Sequence, residues 1–162
     1  MAVAPLGKIL LYIDATESAR TAARYAIAIA KHYGAELHAV YVVNETMLEQ
    51  LRHAQVFTQE EQVDLARELE EDGKRYLAFV EKLAREKSLS VTVELRKGIV
   101  HREVVDKAAN IGACLIVMGE IEEPLSRRDS FYDEGEMILM KAKCPVLVVK
   151  GETMIDDFYD SI

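Results

Sequence analysis

The stretch Cys114-Leu115-Ile116-Val117-Met118-Gly119-Glu120-Ile121-Glu122 decides the fold of this chain. An apolar run with β-branched residues stops at Gly119, and a polar loop follows. This pattern is typical of a buried parallel strand whose carboxyl end opens into a crevice of the sheet. Because open α/β sheets bind their ligands in such a crevice, the turn at Gly119 is the strongest candidate for a functional site.

The alternation of patterns along the chain predicts the rest of the fold. Predicted strands span 8–13, 36–43, 89–95, 114–119 and 145–149, and predicted helices span 19–33, 58–87, 100–111 and 134–142. This order predicts one α/β domain over residues 1–150, with a five-stranded parallel sheet and helices on both faces. Residues 44–55 fit either a helical turn or an irregular excursion. Residues 151–162 form an acidic tail that we expect to be loosely held.

Composition and charge exclude several classes of protein. The chain has 162 residues, half of them hydrophobic, which suffices for one compact core. Its formal net charge of -8 argues against nucleic-acid or acidic-membrane partners, because both need clustered Lys and Arg. No apolar run approaches the roughly 18 residues of a membrane span. The amino terminus also lacks a signal-peptide pattern, so we expect a cytoplasmic protein.

Local signals mark the helix ends. Thr58 and Glu61 have the spacing of a capping box at the start of the long helix. Either Thr16 or Ser18 can cap the first helix. Gly73 costs about 1 kcal/mol relative to alanine inside a helix, and we interpret it as the position of a bend.

Asp14, at the carboxyl end of the first predicted strand, is the most informative single charge. A carboxylate there can accept hydrogen bonds from a ligand's amino group or ribose hydroxyl. It can equally cap the helix that follows. The residues alone leave both roles open.

Catalytic signatures are not found. Ser126 and Ser130 lack the Gly-x-Ser-x-Gly setting of a hydrolase nucleophile. The histidines are expected to be surface or helix-end residues; they are His32, His38, His53 and His101. We therefore expect that the protein is not an enzyme.

The acidic and thiol side chains do not predict a metal site. Glu120, Glu122 and Glu123 fit a solvated loop better than a divalent-cation site. No grouping has the ligand spacing of zinc sites. Cys114 and Cys144 are expected to be buried small hydrophobes rather than a redox or metal pair.

Five segments, taken together, resemble a known family. They are 8–18 (KILLYIDATES), 40–43 (VYVV), Gly98, 113–119 (ACLIVMG) and 142–149 (AKCPVLVV). This set is similar to the universal stress protein family, over residues 8–150. The resemblance implies a Rossmann-like fold of the adenine nucleotide alpha hydrolase type. It also implies a homodimer that pairs its last strands through Val146, Leu147, Val148 and Val149.

Many members of that family bind ATP with a loop that reads Gly, two residues, Gly, nine residues, then Gly and Ser or Thr. Counted from Gly119, the second glycine becomes Glu122, the third becomes Tyr132, and the hydroxyl position becomes Asp133. Each carboxylate about 4 Å from a phosphate costs on the order of 4 kcal/mol at an intermediate dielectric. We therefore expect a branch with a degenerate phosphate loop, no resident cofactor and no tight ATP binding.

The adenosine half of the family's site is better kept. The resemblance carries it onto Asp14, Ala15, Val42, Met118 and Gly119, so that binding of AMP or ATP stays open. The resulting hypothesis is a regulatory protein that serves a stress response through contacts with a protein partner that the sequence does not identify. The alternative is a sensor that binds an adenosine nucleotide.

Overall fold

A computed structural model describes residues 6–121 and 133–162 of the chain. The strands are β1 (Lys8–Tyr12), β2 (Glu36–Asn44), β3 (Val91–Gly98), β4 (Leu115–Met118) and β5 (Val146–Val148). They form one sheet in the order β3-β2-β1-β4-β5, and every neighbouring pair is parallel. The predicted single-domain, five-stranded parallel fold is confirmed.

The helices cover both faces of this sheet, as predicted. They are α1 (Glu17–Tyr33), α2 (Glu45–His53), α3 (Gln59–Glu86), α4 (Val100–Ile111), α5 (Glu134–Lys141) and α6 (Thr153–Ser161). Helices α1, α3 and α6 pack on one face, and α4 and α5 pack on the other. Within the described ranges, no helix combines the length and apolarity needed to cross a membrane.

The strand order places the topological switch point of the sheet between β1 and β4. The chain moves outward from β1 through β2 to β3, and then returns to the other side of β1. Leu11 of β1 lies beside Val117 of β4, and both side chains are fully buried. The carboxyl ends of β1 and β4 therefore border the crevice in which α/β sheets bind ligands.

The capping predictions are resolved by specific hydrogen bonds. The capping box is confirmed, with Glu61 N donating to Thr58 Oγ1 and Thr58 N donating to Glu61 Oε2, each at 3.2 Å. Of the two candidates for α1, Thr16 is the cap. The ambiguous segment after β2 is helix α2, which Asn44 caps by accepting a hydrogen bond from Met47 N.

Gly73 lies within α3, which is one continuous helix, and it allows close packing there. The predicted bend at this position stays a prediction. A Cβ atom at this position would lie 2.6 Å from both Leu95 Cδ1 and Tyr41 Cδ1. Real Cβ atoms do not approach other atoms so closely. The glycine therefore lets α3 lie against β2 and β3, and this contact between distant segments has no local sequence signal.

The acidic composition of the carboxyl-terminal tail predicted a loosely held segment. The tail forms helix α6 instead. Ile155 and Tyr159 are buried against the core, and the Tyr159 hydroxyl donates to Leu83 O at 2.9 Å. Asp156 lies 3.9 Å from Arg24 of α1. Although the tail is acidic overall, Ile155 and Tyr159 are four positions apart and therefore lie on one side of a helix.

Candidate functional site

A cleft of about 600 Å³ opens at the carboxyl ends of β1, β2 and β4. All residues predicted for the adenosine side line it; they are Asp14, Ala15, Val42, Met118 and Gly119. They come from three segments that the parallel sheet brings to one edge. The structure therefore gathers these residues at one concave surface, where ligands of such folds bind.

The cleft combines apolar walls with a polar rim. Val42, Val100 and Met118 are buried side chains of the wall, and all three belong to the core on the α4 side of the sheet. The rim carries the carboxylates of Asp14, Glu120, Asp133 and Glu134. Apolar parts of a ligand can pack against such walls, whereas an anionic group meets like charge at the rim.

Asp14 acts on the helix that follows it. Its Oδ1 atom accepts hydrogen bonds from Thr16 N at 2.9 Å and from Thr16 Oγ1. Thr16 Oγ1 in turn accepts from Ala19 N at 3.2 Å, which caps α1. Because Asp14 also lines the cleft, one carboxylate orders the start of α1 and remains available as a ligand contact.

Gly119 lets the end of β4 approach the first turn of α1. A Cβ atom here would lie 2.7 Å from both the backbone carbon and the Oγ atom of Ser18. Much of this clash is with backbone, which cannot move without displacing α1. The glycine that ends the deciding stretch is therefore required by the packing of the cleft wall, whatever the cleft binds.

The carboxylate of Asp133 caps the backbone amides in the first turn of α5. Asp133 Oδ1 accepts hydrogen bonds from Gly135 N at 3.0 Å and from Glu136 N at 3.3 Å. Unpaired amides at a helix start, together with the helix dipole, are what make such a site attractive to phosphate. Here a side-chain anion already occupies that position. Glu122 and Tyr132, the other predicted members of the degenerate loop, lie outside the described residues.

A backbone amide in the first turn of α4 also donates to a carboxylate, but this carboxylate belongs to a different helix. The capping position of α4, Ile99, makes no side-chain hydrogen bond. Instead, Glu134 Oε2 accepts from His101 N and contacts His101 Nδ1, each at 2.7 Å. His101 is thus a helix-end residue, as predicted, but its side chain is only 17% exposed. Sequence reasoning missed its partner because 33 positions separate the two.

The pKa of the Tyr12 phenol reflects its buried position and the carboxylates near the cleft. Burial is the main reason that the pKa of its phenol lies well above its ordinary value, and the nearby charges of Asp14 and Glu134 raise it further, with Tyr41 and Asp133 adding to this effect. Among the described residues, the charges that raise this pKa are all negative. Sequence patterns gave no signal for Tyr12, because a tyrosine in a buried strand is ordinarily a core residue.

Other candidate residues have partners of their own. His38 differs from the expected surface position, because it is 8% exposed and contacts Glu36 Oε1 at 2.6 Å. Glu120 lies 3.4 Å from Lys150 at the rim. In residues 6–121 and 133–162, no three His, Cys, Asp or Glu side chains are grouped as metal ligands.

Strand β5, predicted to form the dimer contact, is an edge strand of the sheet. Val146, Leu147 and Val148 are partly buried, and Val149 is 4% exposed within the core. An apolar strand at the edge of a sheet is suited to pairing with a second chain. The three residues of β5 itself offer side chains for this contact.

Comparison with known proteins agrees with this architecture. The family model described as "Universal stress protein family" matches residues 5–150. A universal stress protein of Methanocaldococcus jannaschii is 34% identical over 144 residues, which cover 88% of this chain and 81% of that protein. Helix α6 begins beyond the matched family segment.

Solved structures share the same fold. The universal stress protein UspA from Lactobacillus plantarum superposes with a TM-score of 0.72 at 20% identity, covering 90% of this chain and 98% of that one. A universal stress protein from Archaeoglobus fulgidus, solved in complex with dAMP, has a TM-score of 0.60 at 19% identity, with coverages of 89% and 98%. At these identities the likeness shows the fold alone.

Proposed function

The chain belongs to the universal stress protein family, and from this premise we propose that it is a regulatory stress-response protein that does not bind ATP tightly. In this proposal it acts in the cytoplasm, as a homodimer, through contacts with another protein. The proposed role is regulatory rather than enzymatic. Family membership supports the stress-response role, whereas the mode of action is our inference.

The hydrogen bonds of Asp133 carry the proposal. Its carboxylate already accepts hydrogen bonds from the backbone amides of Gly135 and Glu136 in α5, at 3.0 and 3.3 Å. A phosphate bound there must displace the carboxylate or lie beside it. A like-charge contact at about 4 Å costs on the order of 4 kcal/mol at a dielectric of about 20. That is comparable to several decades of affinity, so the polyphosphate end of ATP is disfavoured.

Glu134 extends this effect to the second helix that borders the cleft. Its carboxylate satisfies the backbone amide of His101 near the start of α4. The first turns of α4 and α5 therefore each have a side-chain carboxylate of the protein bound to their backbone amides. The pKa of the Tyr12 phenol is raised mainly by burial and further by Asp14, Glu134 and Asp133, which is consistent with a negative field between these carboxylates.

The alternative is an adenosine nucleotide sensor, and the geometry of the adenosine side favours it. Asp14, Val42 and Met118 line a cleft with apolar walls and one carboxylate that can accept from amino or hydroxyl groups. The dAMP complex of the Archaeoglobus fulgidus relative shows that a protein of this fold can hold a nucleoside monophosphate. In this version the ligand is adenosine or AMP rather than ATP.

Isothermal titration of the full chain with ATP, ADP, AMP and adenosine tests both versions. The proposal expects ATP to bind more weakly than about 100 micromolar, an order-of-magnitude threshold on the affinity scale. Tighter ATP binding contradicts it. Measurable binding of adenosine or AMP, with weaker binding as phosphates are added, favours the sensor. Sedimentation equilibrium measures the homodimer separately, so its outcome does not depend on the ligand result.

A further inference from the structure

Helix α2 is weakly held by the core. None of its residues is buried, whereas α1, α3, α4, α5 and α6 each bury at least one side chain. Of its nine residues, all of them described, Leu48 alone packs against a hydrophobic cluster, and that side chain is only partly buried. Most of the stability of a protein helix comes from packing an apolar face. We therefore expect α2 to open more readily than its neighbours.

Two cavities border α2. Met47 lines the ligand cleft, and this residue is 38% exposed. A second hollow, of about 320 Å³, lies between α2 and the elements α3 and β3. Ala66 of α3 and Lys97 of β3 line one part of this hollow. The α2 residues that line it are Glu45, Leu48, Glu49 and Arg52.

Helical spacing puts the two linings on opposite sides of α2. The residues that line the hollow recur at positions i, i+3, i+4 and i+7, so they form a single face of the helix. With 3.6 residues per turn, Met47 points roughly 150° away from the centre of that face. Helix α2 therefore stands between the cleft and the hollow. A displacement of α2 away from the hollow is a displacement toward the cleft.

Both ends of α2 have features of a hinge. Asn44 is the last residue of β2, lines the cleft and caps α2 by accepting a hydrogen bond from Met47 N at 3.1 Å. Beyond the other end, Gln55 has a φ of 51°, in the left-handed region that is uncommon for residues other than glycine. Residues 52–61 are all exposed, so the connection to α3 has room to change its path. Hinges of lids are commonly such positions at the ends of elements.

We propose that α2 is a lid on the cleft, which turns about Asn44 and Gln55. In the closed position, Met47 covers the apolar part of a ligand that packs against Val42 and Met118. The unbranched thioether side chain of methionine adapts to surfaces of different shape. A ligand shifts the lid toward closure because it contacts Met47 only in the closed position.

The lid needs only the cleft, whatever ligand the cleft holds. Tight ATP binding would therefore contradict the proposed function without contradicting the lid. Conversely, a fixed α2 would contradict the lid and leave the proposed function unchanged.

Hydrogen exchange of the full wild-type chain, followed by mass spectrometry without any ligand, tests the mobility of α2. We expect its backbone amides to exchange at least about 100-fold faster than those in the interior of α4. Helix α4 is the matched reference, because it is also short but buries Val100, Val104 and Ala108. Equal protection of the two helices would overturn the proposal.

Replacement Ala66→Leu tests the direction of the movement. The larger side chain fills the hollow and displaces α2 toward the cleft, so that Met47 becomes covered. Oxidation of Met47 to the sulfoxide by hydrogen peroxide, measured by peptide mass spectrometry, reports its exposure. Met154, which is 85% exposed in α6, is the internal reference in the same molecule. We expect the ratio of the Met47 rate to the Met154 rate to fall at least about threefold.

Ala78→Leu, at an exposed position of α3, is the matched control and should leave this ratio unaltered. An unchanged or raised ratio in Ala66→Leu would overturn the lid, as would an equal fall in Ala78→Leu. Because hydrogen exchange is measured on the wild-type protein, poor folding of either variant does not remove the test.

Discussion

Glu134 and His101 tie together the two helices beside the cleft. Glu134 Oε2 accepts a hydrogen bond from His101 N and contacts His101 Nδ1, each at 2.7 Å, and both side chains are mostly buried. The contact joins the first turn of α5 to the first turn of α4. A residue that belongs by sequence to one helix thus completes the hydrogen bonding of another.

Replacement Glu134→Gln should destabilise the protein by about 1 to 2 kcal/mol, because a neutral amide is a weaker acceptor for a charge-assisted hydrogen bond at a helix start. This corresponds to a fall of roughly 2 to 8 °C in Tm, measured by calorimetry. Glu136→Gln, an exposed change in the same first turn, is the matched control. Equal effects of the two changes would show that helix charge, not the contact with His101, is responsible.

Replacement Asp133→Ser should raise the affinity for ATP at least about tenfold, because serine keeps the cap of α5 while removing the carboxylate beside the free amides. Titration calorimetry with ATP measures the change. Asp157→Ser removes the same charge from an exposed position of α6 and should leave ATP binding unaltered. An unchanged affinity in Asp133→Ser would contradict the blocking role of Asp133.

Replacement Gly119→Ala should lower the free energy of unfolding by about 1 to 3 kcal/mol, since the new Cβ atom overlaps the backbone of Ser18. Urea unfolding measures this. Gly7→Ala is a suitable control, because no atom lies within 4 Å of a Cβ at Gly7. If both variants unfold at the same urea concentration, the close approach of β4 to α1 is not a constraint.

Replacement Tyr159→Phe should cost about 1 to 2 kcal/mol, because it removes the hydroxyl that donates to Leu83 O and leaves a buried carbonyl without that donor. Thermal unfolding measures the effect. Tyr33→Phe, at a residue 50% exposed, is the control and should be nearly neutral. A neutral Tyr159→Phe would mean that α6 adds little to the stability of the domain.

Glu94 predicts a pH dependence of stability. The hydrogen bond from Lys107 is the largest reason that the pKa of Glu94 is lowered, with Arg96 contributing, while partial burial opposes them. Because the folded pKa lies below the unfolded value of about 4.3, this stabilisation is present above that pH and is lost as pH falls through the folded pKa.

Unfolding of Glu94→Gln and wild type should therefore be compared between about pH 7 and pH 3, a range that spans the titration of ordinary glutamates. We expect the wild type's advantage to shrink as the pH falls. Solvent screening of this partly exposed pair limits the advantage to a fraction of 1 kcal/mol. Glu68→Gln, at an exposed position, should show no such trend. A difference that is the same at every pH would exclude an ionic origin.

Local patterns predicted the elements of the fold because their causes are local. The apolar run before Gly119 predicted β4, and the spacing of Thr58 and Glu61 predicted the start of α3. The alternation of elements then restricted the topology to a parallel sheet, since crossover connections have one hand. The boundaries were less certain: the third strand extends to Gly98 rather than ending at Leu95.

The sequence by itself determined the parallel α/β fold, the family and the edge of the sheet that carries the cleft. Only the tertiary structure decided the roles of Gly73 and Glu134. Each of these depends on an atom from a distant segment, and no periodicity or spacing encodes such a partner. The turn at Gly119 illustrates both: its pattern marks the end of a strand, whereas its need for glycine comes from the backbone of Ser18.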